Sequence, residues 1–157
     1  MSAAAKDDVE RNKDVARRFI AGIPVTDPNE TAVRSTMAEN AIWKFEISGT
    51  YTPQLNPWRT RAWDREKMIR MHLNFRKAIR EPYKLALTSL VAEGDKVVAE
   101  AIGSGVSVLS GRTYEQHYCF HLTLKAGLIV EGKVYQDTLH IYDVWIRPEQ
   151  DGFFSAA

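Results

Sequence analysis

Apolar and polar positions change period several times along this chain. Val15, Ala16, Phe19, Ile20 and Ile23 recur at spacings of three and four, one face of a helix from about residue 7 to 22. Thr26-Asp27-Pro28-Asn29-Glu30 is a helix start: Asp27 can cap, Pro28 suits the first helical position, and Glu30 stands where the acid of a capping box belongs. That second helix is short and is expected to end near Glu39-Asn40. From Ala41 to Ile47 the period drops to two, with Trp43, Phe45 and Ile47 on one side of a strand and Lys44 and Glu46 on the other. Residues 48 to 62 hold Gly49, Pro53 and Pro57 and read as a loop. Asp64 opens a third helix with the stripe Met68, His72, Phe75 and Ile79, which Pro82 ends.

Three or four strands follow, roughly 83–92, 96–109, 113–124 and 128–142, with turns at Glu93-Gly94-Asp95, Ser110-Gly111 and Ala126-Gly127. Helices first, one strand, a helix, then a meander of long antiparallel strands predicts an α+β fold. To cover the helical stripes the sheet must curl into a cone open at one end, a natural small-molecule pocket. The chain is expected to be one domain with its core at 8–145 and a weakly ordered tail at 146–157.

Composition narrows the function. Lys and Arg number 21 against 20 Asp and Glu, without the basic excess of a protein that tracks phosphates, so nucleic acid is not the expected partner. One cysteine, Cys119, leaves no internal disulfide. The polar start carries no signal-peptide core and no apolar run is long enough to span a bilayer, so a soluble cytoplasmic protein is expected. No metal or nucleotide motif is visible, and no cofactor is expected.

The order of elements, the run Tyr114-Glu115-Gln116-His117-Tyr118, the turn at Gly127 and the closing Tyr135-Gln136-Asp137-Thr138-Leu139 resemble the SnoaL-like branch of the nuclear transport factor 2 superfamily. The strand pair is most similar to that of the phenazine-biosynthesis relatives. The resemblance spans roughly residues 8 to 142. It implies a cystatin-like α+β barrel, a cone-shaped curved antiparallel sheet wrapped around N-terminal helices. The superfamily's activities range over cyclases, isomerases, epoxide hydrolases, lyases and plain binders, and fold alone does not choose among them.

The resemblance puts the cyclases' catalytic acid at Val134, their histidine and the isomerases' oxyanion-hole aspartate at Phe120, and the isomerases' general base at Phe45. The epoxide hydrolases' arginine and aspartate fall on Ala101 and Gly103. All five are apolar or small, so other residues must supply any chemistry. Asp137 can be a general acid or base if a bulge turns it toward the cone, or a structural ligand of the backbone. His72, on the helical stripe, is either a packed core residue or a proton shuttle; the phenazine-type relatives place a functional histidine on the comparable helix. Gln116 and Tyr118 should face inward with Phe120 and can hold a substrate oxygen. Trp43 and Phe45 can stack on its rings.

Ala99, Ala101, Gly103 and Gly105 alternate on one face of a strand and empty that wall of side chains. Tyr51, Trp58, Arg59, Arg61 and Trp63 belong to the loop near the mouth, where an arginine such as Arg61 can clamp an anion. Tyr135 is a further candidate substrate contact. His117, Cys119 and His121 share the opposite strand face, the two histidines about 13 Å apart by rise, too far for one metal ion. Relatives in the superfamily commonly pair through that outer sheet face, so the resemblance implies a homodimer or homotrimer. Should the register slip by one, Lys44, Glu100 and Asp137 become the leading charge set.

These readings point to a cofactor-independent enzyme acting on a bulky aromatic or polycyclic molecule. Because some SnoaL-like relatives cleave lignin-derived diaryl compounds without a cofactor, the resemblance makes a lyase (retro-aldol, deformylation or dehydration) the leading expectation, with isomerase or cyclase chemistry beside it. The alternative is a non-catalytic binder of hydrophobic aromatics.

Overall fold

The computed structural model describes residues 3–25, 27, 30–46 and 62–146. Helix α1 (Ala3–Gly22) lays Val15, Ala16, Phe19 and Ile20 against the concave side of the sheet, all of them buried. Helix α2 (Thr31–Thr36) is shorter than its sequence pattern suggests and gives way at Met37 to β1 (Met37–Phe45). Helix α3 (Arg65–Ala78) starts where expected, with the Asp64 side chain accepting from Lys67 N at 2.7 Å. It stops at Ala78, and β2 (Ile79–Glu93) runs on through Pro82. A proline fits there because β2 is an edge strand and its pairing is irregular between Arg80 and Lys84.

The remaining strands are β3 (Lys96–Ser107), β4 (Thr113–Lys125) and β5 (Leu128–Gln136). They form one sheet of order β1-β5-β4-β3-β2, antiparallel except where β1 joins β5. Ala126 and Gly127 both take positive φ (50° and 76°), as a tight two-residue hairpin requires. The last strand is shorter than its alternation predicts. It ends at Gln136, and Thr138–Ile141 form a helical turn, α4, continued by a π-helical turn over Tyr142–Ile146. The N-terminal helices and curled sheet are the expected α+β cone. Among the described residues no helix is long and apolar enough to cross a membrane.

Glu30 is not the capping acid its position suggests. Asp27 caps, its carboxylate accepting from Thr31 N at 2.8 Å. Glu30 sits in left-handed backbone (φ 50°) and turns into the core, where its side chain is 1 % exposed and pairs with the Arg76 guanidinium. Arg76 also donates to the Ile23 carbonyl at 2.8 and 3.1 Å, tying α3 to the end of α1. Two charges this deep hold together only because each is hydrogen-bonded; removing one strands the other. Glu30→Ala is expected to lower unfolding free energy by about 3–5 kcal/mol. Urea denaturation at neutral pH measures it, and a loss below about 1 kcal/mol would show that Arg76 finds another partner.

Candidate active site

The inner face of the sheet is a set of cross-strand rows. Trp43 and Leu122 flank Gly132, whose missing side chain admits the Trp43 ring: a Cβ there would lie 2.1 Å from it. The next row is Phe45, Val134, Phe120 and Ala99. Polar groups begin one row further, with Gln136 and Tyr118 beside Ala101. Gln116 beside Gly103, then Tyr114 beside Gly105, follow along β3 and β4.

These rows and α3 enclose a cavity of about 580 Å³. Its walls are largely aromatic: Trp43, Phe45, Trp63, Phe75, Phe120 and Trp145. Trp63 pairs its backbone with Trp43 (both N–H···O at 2.8 Å) and stands edge-on to Phe45 at 5.0 Å. At the other end Phe75 meets Tyr83 at 5.1 Å, Tyr114 at 5.8 Å and Trp145 at 5.8 Å.

Three tyrosines make a chain of hydroxyls in the wall. Tyr114 and Tyr118 share a hydrogen bond at 2.5 Å, and Tyr118 bonds to Tyr83. The chain exists because Gly103 has no side chain: a Cβ there would lie 2.5 Å from the Tyr83 hydroxyl and 2.9 Å from the Tyr118 ring. Burial pushes all three phenols well above the ordinary tyrosine range, so they remain protonated donors. The two links use two of the three hydroxyl protons, and the chain can turn a donor to an oxygen in the cavity.

His72 lines the cavity from α3. Burial, reinforced by the Arg76 charge one helical turn away, lowers its pKa to about 4, so the imidazole is neutral at pH 7. Its Nδ1 is buried without a hydrogen-bond partner among the described residues, as are Trp43 Nε1 and Gln116 Oε1. None of the described lining residues is a carboxylate, while Lys67 and Arg70 contribute cations. No group of three or more His, Cys, Asp or Glu among the described residues could hold a metal ion.

Of the residues singled out in the sequence, His72, Tyr118, Trp43, Phe45 and Phe120 meet in this cavity. Asp137 does not. No bulge turns it inward; its carboxylate accepts from Leu139 N at 2.9 Å and His140 N at 3.1 Å and starts α4. Lys44 and Glu100 also lie outside, because the register does not slip. Lys44 pairs with Glu131 at 3.1 Å on the outer face. Glu100 and Asp137 border a smaller concavity of about 440 Å³ on that face, with His117, Cys119 and Tyr135. Tyr135 is 44 % exposed and packs on His121 at 5.2 Å, so it too leaves the expected contact set.

Gln116 faces inward but is wholly buried behind the cavity wall, its Nε2 donating to the His117 carbonyl. Gln136 and Asn74 are the amides among the described lining residues. Tyr51, Trp58, Arg59 and Arg61 lie outside the described residues. Tyr83, Tyr114 and Trp145 were missed in the sequence, although Tyr114 shares the inward parity of Gln116 and Tyr118 and was legible from it.

Compared with solved structures, the chain is similar to a protein from Jannaschia Sp. CCS1 provisionally assigned as a SnoaL-like polyketide cyclase (17 % identity, TM-score 0.72, 90 % of this chain and 95 % of that one). It is likewise similar to an NTF2-like protein of unknown function from Burkholderia pseudomallei K96243 (15 %, TM-score 0.67, 88 % and 98 %). A third is wild-type IdmH from Streptomyces antibioticus, provisionally assigned as a polyketide cyclase (16 %, TM-score 0.66, 84 % and 96 %). No curated protein matches the chain by sequence. The fold is thus that of nuclear transport factor 2-like proteins. Residues 16–132 match the model of the SnoaL-like domain, and the chain belongs to that family.

The neutral imidazole has a consequence for stability. His72 binds its proton near pH 4 when folded and near 6.5 when unfolded, so between those values the unfolded chain holds more protons. Its contribution is intact above about pH 6.5 and is lost as pH falls toward 4, a change of about 3 kcal/mol. His72→Gln should flatten the stability-versus-pH curve between pH 4 and 6.5 relative to the parent, as followed by urea denaturation. Parallel curves would mean that the imidazole is solvated.

Proposed function

We propose that this protein is a cofactor-independent enzyme that rearranges the carbon skeleton of an aromatic or polycyclic ketone or phenol, in the manner of an isomerase or cyclase. The observation that carries this reading is the buried Tyr83–Tyr118–Tyr114 chain opening on an aromatic-walled cavity. Protonated phenols with raised pKa values suit hydrogen-bond donation to an oxyanion that develops as a carbon acid gives up its proton. His72, uncharged and in its basic form, is the lining group able to take that proton, and an imidazolium formed beside an enolate would be stabilised by it. The polyketide cyclase assignments of two structural relatives support ring-forming chemistry on the same fold.

A lyase reaction is the finer version: retro-aldol cleavage or deformylation of a diaryl compound also passes through an enolate or phenolate that the tyrosines would hold. A second reading, a non-catalytic binder of hydrophobic aromatics, is favoured by the absence of a carboxylate among the described lining residues. Incubation with a panel of polyphenolic ketones and diaryl alcohols, followed by mass spectrometry, separates them. Product formation is expected, with Tyr118→Phe lowering kcat about a hundredfold or more while ligand affinity changes far less. Ligand uptake without any product across the panel would favour the binder, and unchanged turnover in Tyr118→Phe would remove the tyrosine chain from the mechanism.

A further inference from the structure

Helix α3 presents the cavity with a graded stripe. Lys67 and Arg70 stand toward its N-terminal end, Met71 and Asn74 in the middle, Phe75 and Ala78 at the far end. Residues three and four apart share a helix face, so the stripe is contiguous and the two cations are neighbours. Both are exposed, and neither has an ion-pair partner among the described residues. Lys67 Nζ is held 4.9 Å from the Trp63 ring, which restricts it to the cavity's rim.

Like charges at this spacing destabilise a helix slightly. No described lining residue offers them an anion. The neighbouring acids are otherwise engaged: Asp64 caps α3, and Glu66 forms a two-pronged pair with Arg34 at 2.6 and 2.9 Å. The cations are therefore the charged groups among the described lining residues, whose other polar groups are neutral.

We infer that the ligand of this cavity is an aromatic carboxylate, its anionic group at Lys67 and Arg70 and its oxygen-bearing ring at the tyrosine chain. The inference rests on the cavity being the ligand site, as in the proposed function, and adds the charge and length of the molecule. Phe75 touches the rings of Tyr83 and Tyr114. The helix rises about 1.5 Å per residue, so the phenol end lies about 8 Å from Arg70 and about 12 Å from Lys67 along the axis. That distance fits two linked or fused rings and exceeds a single benzoate. The rings between would stack among Trp43, Phe45 and Phe120. The acid enters with its charge still near solvent, so it need not be stripped of water to bind.

The probe is 4′-hydroxybiphenyl-4-carboxylic acid, whose hydroxyl and carboxylate stand a comparable distance apart, with its neutral primary amide as the control. Binding to the full chain is measured by calorimetry or by quenching of tryptophan fluorescence at low ionic strength. The acid is expected to bind about tenfold more tightly than the amide, the combined effect of two exposed charge pairs. That preference should shrink as salt is added. In the double variant K67Q/R70Q the preference should vanish while the amide binds as before.

Equal affinity of acid and amide for the parent would overturn the carboxylate inference and leave the cavity as a site for neutral aromatics. A preference that survives in K67Q/R70Q would also overturn it, by placing the anion elsewhere. Failure of both molecules to bind, with Trp43 and Trp63 fluorescence unmoved, would overturn it together with the reading of the cavity as the ligand site.

Discussion

Everything in the cavity depends on side chains that β3 does not have. Ala99, Ala101, Gly103 and Gly105 follow one another on its inward face, and the space they leave is taken from both sides. Tyr83 reaches over from β2 and Tyr118 from β4 until both lie against the Gly103 backbone. Ile79 uses the gap at Gly105, where a Cβ would sit 2.7 Å from it. Glycine inside a strand weakens it, since it loses more freedom on folding and packs nothing of its own. Here the loss is offset by the ring contacts it allows, from Phe75 on Tyr83 to Tyr118 on Phe120 at 5.5 Å. A tyrosine chain in the wall and an open chamber beside it are two results of one bare strip.

The same geometry accounts for the odd chemistry of the site. Phe45, Val134 and Phe120, where the family resemblance would put ionisable residues, do face the cavity and form one cross-strand row. The row is in place, and its charges are gone. Polar groups appear in the rows after it, as Gln136 and Tyr118, then Tyr114, and all are neutral. Burying phenols and an amide costs far less than burying a carboxylate, provided their hydrogen bonds are met. An apolar chamber can keep such donors without a counter-ion. What it gives up is a strong base, and the imidazole found among the described lining residues is held neutral chiefly by the same burial.

How much of this could be read from residues alone follows from the range of the interactions. Alternation along β4 placed Tyr118 and Phe120 inside and His117, Cys119 and His121 outside, because a strand's period is local and the register held. The cone followed from element order. Of the two roles open to Asp137, the structure shows the backbone-bonding one; what misled was that Thr138-Leu139-His140-Ile141 alternates like more strand, whereas Asp137 caps a helical turn there. Glu30 was misread for a different reason. Its local motif is a genuine capping pattern, yet its partner is 46 residues away on α3, and nothing near it in sequence announces Arg76. Tyr83 lay just past a proline in an irregular stretch of β2, where parity gives no guide.

Arg76 joins stability to the site. It stands one helical turn beyond His72 on α3, clamped by Glu30 and by the Ile23 carbonyl. The clamp ties α3 to the end of α1, and with it the placement of Lys67, Arg70 and Phe75 against the sheet. Its charge is also the second cause, after burial, of the low pKa of His72. A neutral aliphatic residue at 76 could pack against α1 and would avoid a buried charge altogether. It would not hold the imidazole unprotonated as firmly. The ion pair therefore docks α3 and adds to the burial that keeps the imidazole on its inward face neutral. The energetic cost of burying two charges is borne where the chain has most reason to keep its geometry fixed.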